Sequence, residues 1–245
     1  MPEINIKAEP IFSVFGLHIT NSLFTSIIAT VTFLLIAIYY SKQITASKKS
    51  GFFYFVHFMF KSINDLFKSI LGDNIKFFLP LVLSFFLFIL IQNWFGLLPG
   101  VGSVKIAIKE YGKIVHVPIF RGGNADLNTT LALALISVVM IQFYGVKFLG
   151  FLQYIKKFID LSNPINFFVG VLEIISEISK VLSFAFRLFG NIFAGEVLLT
   201  IVAFLVPVLA SFPFIILELF VGFVQALVFA MLTTVFLNGA IAKHH

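Results

Sequence analysis

Apolar residues fill this chain in long unbroken blocks. Runs free of Asp, Glu, Lys and Arg cover residues 10–41, 77–104, 127–146, 197–217 and 219–242. A helix crossing the hydrocarbon core needs about 20 apolar residues. The first three runs therefore predict one span each, at 18–40, 77–98 and 127–146. Pro80 sits near the start of the second span, where a proline can kink a helix. Asp126 precedes the third, in "NADLNTTLALAL", and is placed to cap it.

Residues 161–206 follow a different pattern. They are apolar and helix-like, but Glu173, Glu177, Lys180, Arg187 and Glu196 interrupt them. A helix of that length would run roughly 60 Å, about twice the hydrocarbon thickness. It must be steeply tilted or shielded by protein. Two prolines in "VPVLASFP" (206–213) break it, and residues 214–242 complete a helical hairpin. Residues 51–71 are amphipathic towards their end, with Lys61, Asp65 and Lys68 on one face. They predict either an interfacial helix on the inner surface or a connector packed on the bundle. An N-terminal tail (1–16) and an outer loop (99–125) remain, with no repeats and no separable soluble domain. The expected fold is an all-α polytopic membrane protein: one membrane domain over 1–245, with five spans and an interfacial helix.

Composition agrees with that pattern. Charged residues make up 11% of the chain, against roughly a quarter in a soluble domain, and mean hydropathy is +1.06. The absence of cysteine excludes disulfides, thiolate zinc sites and iron–sulfur clusters, and no cofactor or metal site is expected. The opening stretch lacks a basic start, a short apolar core and a small-residue cleavage site, so it does not read as a signal peptide. Insertion is then expected to rely on the first span. The net charge of +6 reflects topology rather than nucleic-acid binding. Ten basic residues lie in 41–76, 147–160 and the C-terminus; five (Lys7, Lys105, Lys109, Lys113, Arg121) lie on the other side. The positive-inside rule then places the N-terminus outside and the C-terminus in the cytoplasm.

The candidate chemistry is carried by the polar residues inside these runs. Arg187 stands in "LSFAFRLFGNIFAGE" with apolar sequence on both sides. Its guanidinium stays charged, so it needs a carboxylate, an aqueous cavity or a route to the interface. Glu173, Glu177, Lys180, Arg187 and Asn191 share one helical stripe. Glu196, nine residues past Arg187, lies about 180° round and roughly 13 Å along. Acidic groups on different sides of the arginine suit two separate water paths with a fixed charge between them. Small residues (Ala185, Gly190, Ala194, Gly195) leave room near the arginine for another helix, or for packing within this chain. Folding the hairpin about residues 206–207 brings Arg187 level with Gln225, and Glu196 level with Glu218, to within about 5 Å of helical rise. Two glutamates facing each other in a membrane suit a proton relay.

These residues carry a resemblance. "LSFAFRLFGNIFAGEVLL" resembles the signature of subunit a of F-type rotary ATP synthases, and "ADLNTTLALAL", "LVLSFFLFILIQNWFGLLPG" and "LELFVGFVQALVFAMLTTVFL" are similar to other segments of that family. The resemblance covers most of the chain from about residue 75. It implies that Arg187 is the stator charge facing a rotating c-ring and separates two aqueous half-channels. It implies that Gln225 lies beside Arg187, with Asn191 lining the same region. Glu196 and Glu218 would line the outer half-channel, Glu173 and Glu177 the inner side, and Asp126 and Asn128 the outer entrance. Implied partners are the c-ring, peripheral stalk subunit b, the soluble catalytic sector and the lipid bilayer. The implied location is a bacterial plasma membrane, or alternatively a mitochondrial inner membrane. Two departures stand out: position 218 is histidine in some relatives, and Gly96 replaces a common acidic residue. No "GxxxxGK[ST]" phosphate loop is present, so the chain is expected to move ions without being an enzyme by itself. The competing reading is a self-contained secondary transporter or channel.

Overall fold

The computed structural model describes residues 7–14, 16–46, 48–72, 75–98, 100–110, 113–159, 162–206 and 211–241. Strands β1 (Pro10–Val14) and β2 (Leu17–Thr20) form an antiparallel hairpin that turns through Gly16. The φ of 81° at Gly16 is one that side chains resist. Helices α1 (Asn21–Ile44), α2 (Gly51–Leu71) and α3 (Ile75–Gly96) follow. A second antiparallel hairpin, β3 (Lys105–Glu110) with β4 (Lys113–Pro118), precedes a single 3-10 turn at Gly123–Ala125. Then come α4 (Leu127–Leu149), the short α5 (Phe151–Lys156), α6 (Pro164–Leu205) and α7 (Ser211–Ile241). Five of these helices (α1, α3, α4, α6 and α7) are long and apolar enough to cross a membrane. The chain is an all-α polytopic membrane protein.

Local chemistry sets the helix starts. The hydroxyls of Thr20 and Ser50 accept the Leu23 and Phe53 amides and cap α1 and α2. Asp126 caps α4 by accepting the Asn128 amide at 2.9 Å. Pro164 opens α6, where its missing N–H costs nothing. At 42 residues, α6 is about 63 Å long.

Helix α3 lies at the centre, against α7, while α4 packs on both α6 and α7. Phe78, Phe86 and Ile89 of α3 are fully buried. Facing positions are small: Ala134, Ala226, Ala230, Thr233 and Thr234 let the helix backbones approach. Hydroxyls and amides lock the bundle. Ser137 bonds Thr233 at 2.9 Å, and Asn93 Nδ2 donates to the Gly222 carbonyl at 2.8 Å. Trp94 Nε1 donates to the Leu219 carbonyl at 3.1 Å.

Two regions differ from the expectation. The end of the N-terminal tail and part of the 99–125 loop form β-hairpins rather than irregular chain. In β3, Ile106 and Ile108 alternate with Lys105, Ala107 and Lys109, the period of a strand. Helix α2 sets one stripe (Phe53, Val56, Ile63, Phe67, Leu71) into the protein and exposes Lys61, Asp65 and Lys68 on another. The same helix also exposes Phe52, Tyr54, Phe55 and Phe58. Residues 207–210 of the proline-bearing turn, and Lys243, lie outside the described residues.

Candidate functional site

Helix α6 carries most of the intramembrane polar groups, and its length spreads them from one end of the bundle to the other. Arg187 lies on the exposed side of α6. Its Nη2 donates to Ser183 Oγ, one turn back, at 3.0 Å. Among the described residues no carboxylate forms an ion pair with it. Arg187 and Gln225 of α7 line one small cleft, together with Phe184, Leu188 and Phe229. Ser183, Asn191, Ala194 and Leu198 are exposed along the same α6 stripe as Arg187. A Cβ added at Gly190 would meet nothing within 4 Å, whereas Ala185 and Gly195 are buried inside the chain. The small residues therefore divide. Ala185 and Gly195 serve internal packing, while Gly190 and Ala194 leave an open surface beside the arginine.

Glu218 of α7 is buried, at 7% exposure. Its carboxyl lies against the α-carbon of Gly195, so close that a Cβ there would strike both oxygens. Gly195 immediately precedes Glu196, so the two glutamates sit at neighbouring levels of the hairpin. Glu218 packs on the Gly195 backbone, while Glu196 has a partner from outside the hairpin. Glu196 Oε2 accepts from Arg121 Nε at 3.4 Å. Arg121 enters from the loop between β4 and the 3-10 turn, a direction that a two-helix drawing omits.

Glu196 also borders a cavity of about 320 Å³ at the end of the bundle that carries the β3–β4 hairpin. Gly96, Gly122, Ala125, Thr200 and Ser211 line it too. That volume admits several waters, and its wall offers hydroxyls and a carboxylate to them. Asp126, buried at the start of α4, is spent on the Asn128 amide, and the Asn128 side chain is exposed.

The opposite end of α6 holds the other acidic residues. Glu173 pairs with Lys157 at 2.7 Å, and Glu177 with Lys180 at 2.6 Å. Tyr154 of α5 is buried against Gly145 and donates to Gln142 Oε1 at 2.5 Å. Burial first, and then the charges of Glu177 and Glu173, push its phenol up to about 12. Gln142 Nε2 and Glu177 Oε2 are buried without a partner among the described residues, which leaves this corner under-satisfied in hydrogen bonds.

Arg121 is the residue that the sequence reading misses as part of a site. It counts there only as a loop charge. One signal was available: it is the lone charged residue between Lys113 and Asp126, set among apolar residues and glycines.

Comparison with known proteins gives a consistent result. A family model described as "ATP synthase A chain" matches residues 23–238. The chain is 37% identical over 192 residues to "ATP synthase subunit a" of Syntrophobacter fumaroxidans, covering 78% of this chain and 72% of the relative. It is 28% identical over 244 residues to "ATP synthase subunit a" of Legionella pneumophila (strain Corby), covering 100% of this chain and 96% of the relative.

Proposed function

Since the chain belongs to the family of ATP synthase subunit a, we propose that it is the proton-conducting stator of the rotary membrane sector, with Arg187 as its fixed coupling charge. The observation that carries this reading is an arginine exposed on a small-residue stripe with no carboxylate paired to it among the described residues. A bare guanidinium facing lipid is costly. A ring of c subunits presenting carboxylates one after another supplies a partner at each step. Gly190 and Ala194 leave room for its helices to approach.

The geometry supports two offset paths. Protons reach the ring from the cavity bordered by Glu196, with Glu218 buried one helix away. They leave past Glu173 and Glu177 at the far end of α6. A protonated ring carboxyl arriving at Arg187 gives up its proton to that far path and becomes a carboxylate beside the guanidinium. An ionised carboxylate cannot enter lipid cheaply, so it moves on only after a proton arrives from the cavity side. A potential of 100 mV contributes about 2.3 kcal/mol for each charge moved. Gln225 and Asn191 shape the surface at which the exchange occurs, and Asp126 and Asn128 hold the start of α4 near the entrance.

On this reading the chain is non-catalytic, and ATP chemistry belongs to the soluble sector reached through the central and peripheral stalks. Subunit b and the c-ring are its membrane partners. The bacterial plasma membrane is its site, with the N-terminus outside and the C-terminus cytoplasmic.

The test is ATP-driven acidification of inverted membrane vesicles with wild type and Arg187→Ala, with assembly followed by co-purification. The expected outcome is an intact complex that does not pump. Pumping at the wild-type rate would make Arg187 structural and end the two-path reading.

A further inference from the structure

Arg121 is held as few loop residues are. It is buried, at 5% exposure. Its backbone amide donates to Thr25 Oγ1 of α1 at 3.1 Å. Its Nη1 donates to the carbonyl of Lys7, in the segment leading to β1, at 3.1 Å. Its Nε reaches Glu196 on α6, and its guanidinium lies 5.9 Å from the Phe193 ring centre, one turn earlier on that helix. The side chain thus ties the segment before β1 to α6, while the backbone of the same residue is anchored on α1. Nη2 is also buried and has no partner among the described residues, so donors remain for a water or for the second carboxylate oxygen.

The neighbours of Arg121 matter as much. Gly122 and Ala125 line the same cavity as Glu196. A Cβ on Gly96 would come within 3.1 Å of the Gly122 α-carbon, so the wall behind Arg121 is close-packed backbone. The guanidinium therefore cannot swing with its loop. Its planar fork offers donors in fixed directions, which a lysine cannot reproduce.

We propose that Arg121 is a positioning residue for the cavity-side proton path, holding the Glu196 carboxylate at the cavity through its guanidinium fork. The proposal rests on the reading of Glu196 as a member of that path. Arg121 itself does not meet the ring. It fixes where Glu196 stands and links that position to α1 and to the segment before β1.

The experiment measures passive proton conductance in membrane vesicles stripped of the soluble sector, with membrane-sector composition checked by co-purification. The variants are Arg121→Gln, Arg121→Lys, Glu196→Gln and the double Arg121→Gln/Glu196→Gln. Misplacing a proton-transfer group by about 1 Å costs up to a hundredfold, so Arg121→Gln is expected to conduct at least about tenfold less than wild type. Arg121→Lys keeps the charge but loses the fork and should fall only about threefold. The double variant should match Glu196→Gln within about twofold, because both changes act through one carboxylate.

Wild-type conductance in assembled Arg121→Gln overturns the proposal. So does a double variant whose losses multiply, since Arg121 would then act independently of Glu196. If Arg121→Gln does not assemble, Arg121→Lys decides, and wild-type conductance there also overturns it. If Glu196→Gln itself conducts normally, the reading of the path fails first and takes this inference with it.

Discussion

The two buried-sequence arginines of this chain end in opposite surroundings. Arg121 sits in a loop, where a charge is ordinarily cheap, yet it is enclosed and paired with Glu196. Arg187 sits mid-helix in an apolar run, where a charge is costly, yet it is exposed, and among the described residues its bonded side chain is Ser183. A half-buried ion pair is satisfied within its own chain (the Arg121 side chain is 5% exposed and that of Glu196 38%), and removing one partner leaves the other less compensated. An exposed intramembrane arginine is satisfied only by something outside the chain. The first arrangement organises this protein, and the second suits the proposed contact with a ring of carboxylates.

Charge reversal separates the two most strongly. Arg121→Glu would put a carboxylate in a buried position beside Glu196 and should lower the thermal midpoint by at least about 4 °C. Arg187→Glu should leave the thermal midpoint of the purified chain within about 2 °C of wild type. Thermal unfolding in detergent distinguishes them, and equal losses of stability would break the comparison.

Next in size is Gly195→Ala. The added methyl would displace the Glu218 carboxyl; on the proposed reading of Glu218 as part of the proton path, ATP-driven acidification should fall about tenfold. Gly190→Ala adds the same methyl where nothing lies within 4 Å, so the stability of the isolated chain should not change. A loss of stability there would mean that the stripe beside Arg187 is already packed internally.

The smallest effect lies at Tyr154. Its phenol is raised to about 12, so the fold favours the neutral form. The stabilisation is intact below about pH 10 and is lost as the pH rises through about 12. Phenolate absorbance compared between wild type and Tyr154→Phe should show this ring ionising after the others. Ionisation at the ordinary pH would mean that the ring is neither buried against Gly145 nor within reach of the acidic groups of α6.

Much was readable in advance because membrane insertion writes itself into composition. Runs of apolar residues locate helices without knowledge of their neighbours, since backbone groups in lipid must be satisfied within each helix. Helical periodicity then placed Arg187 with Gln225, a pairing along one hairpin. The same periodicity puts Glu196 and Glu218 at neighbouring levels, but Glu196 also takes a partner from a third element, Arg121. The hairpins β1–β2 and β3–β4 are not legible in advance, because alternation over only four to six residues is too short a signal beside long apolar runs.

By itself, then, the sequence determined that this protein lives in a membrane, where its long helices lie, and that an arginine must be accommodated inside them. Hydrophobic transfer and helix geometry are local and additive, so they can be read along a line. Only the tertiary structure decided which carboxylate is neutralised, and by which base. Residues 121 and 196 are separated by three-quarters of a hundred positions, and their meeting depends on how α1, α6 and the loop before α4 pack together. A buried charge takes the partner that the packing delivers, and no local pattern records that choice.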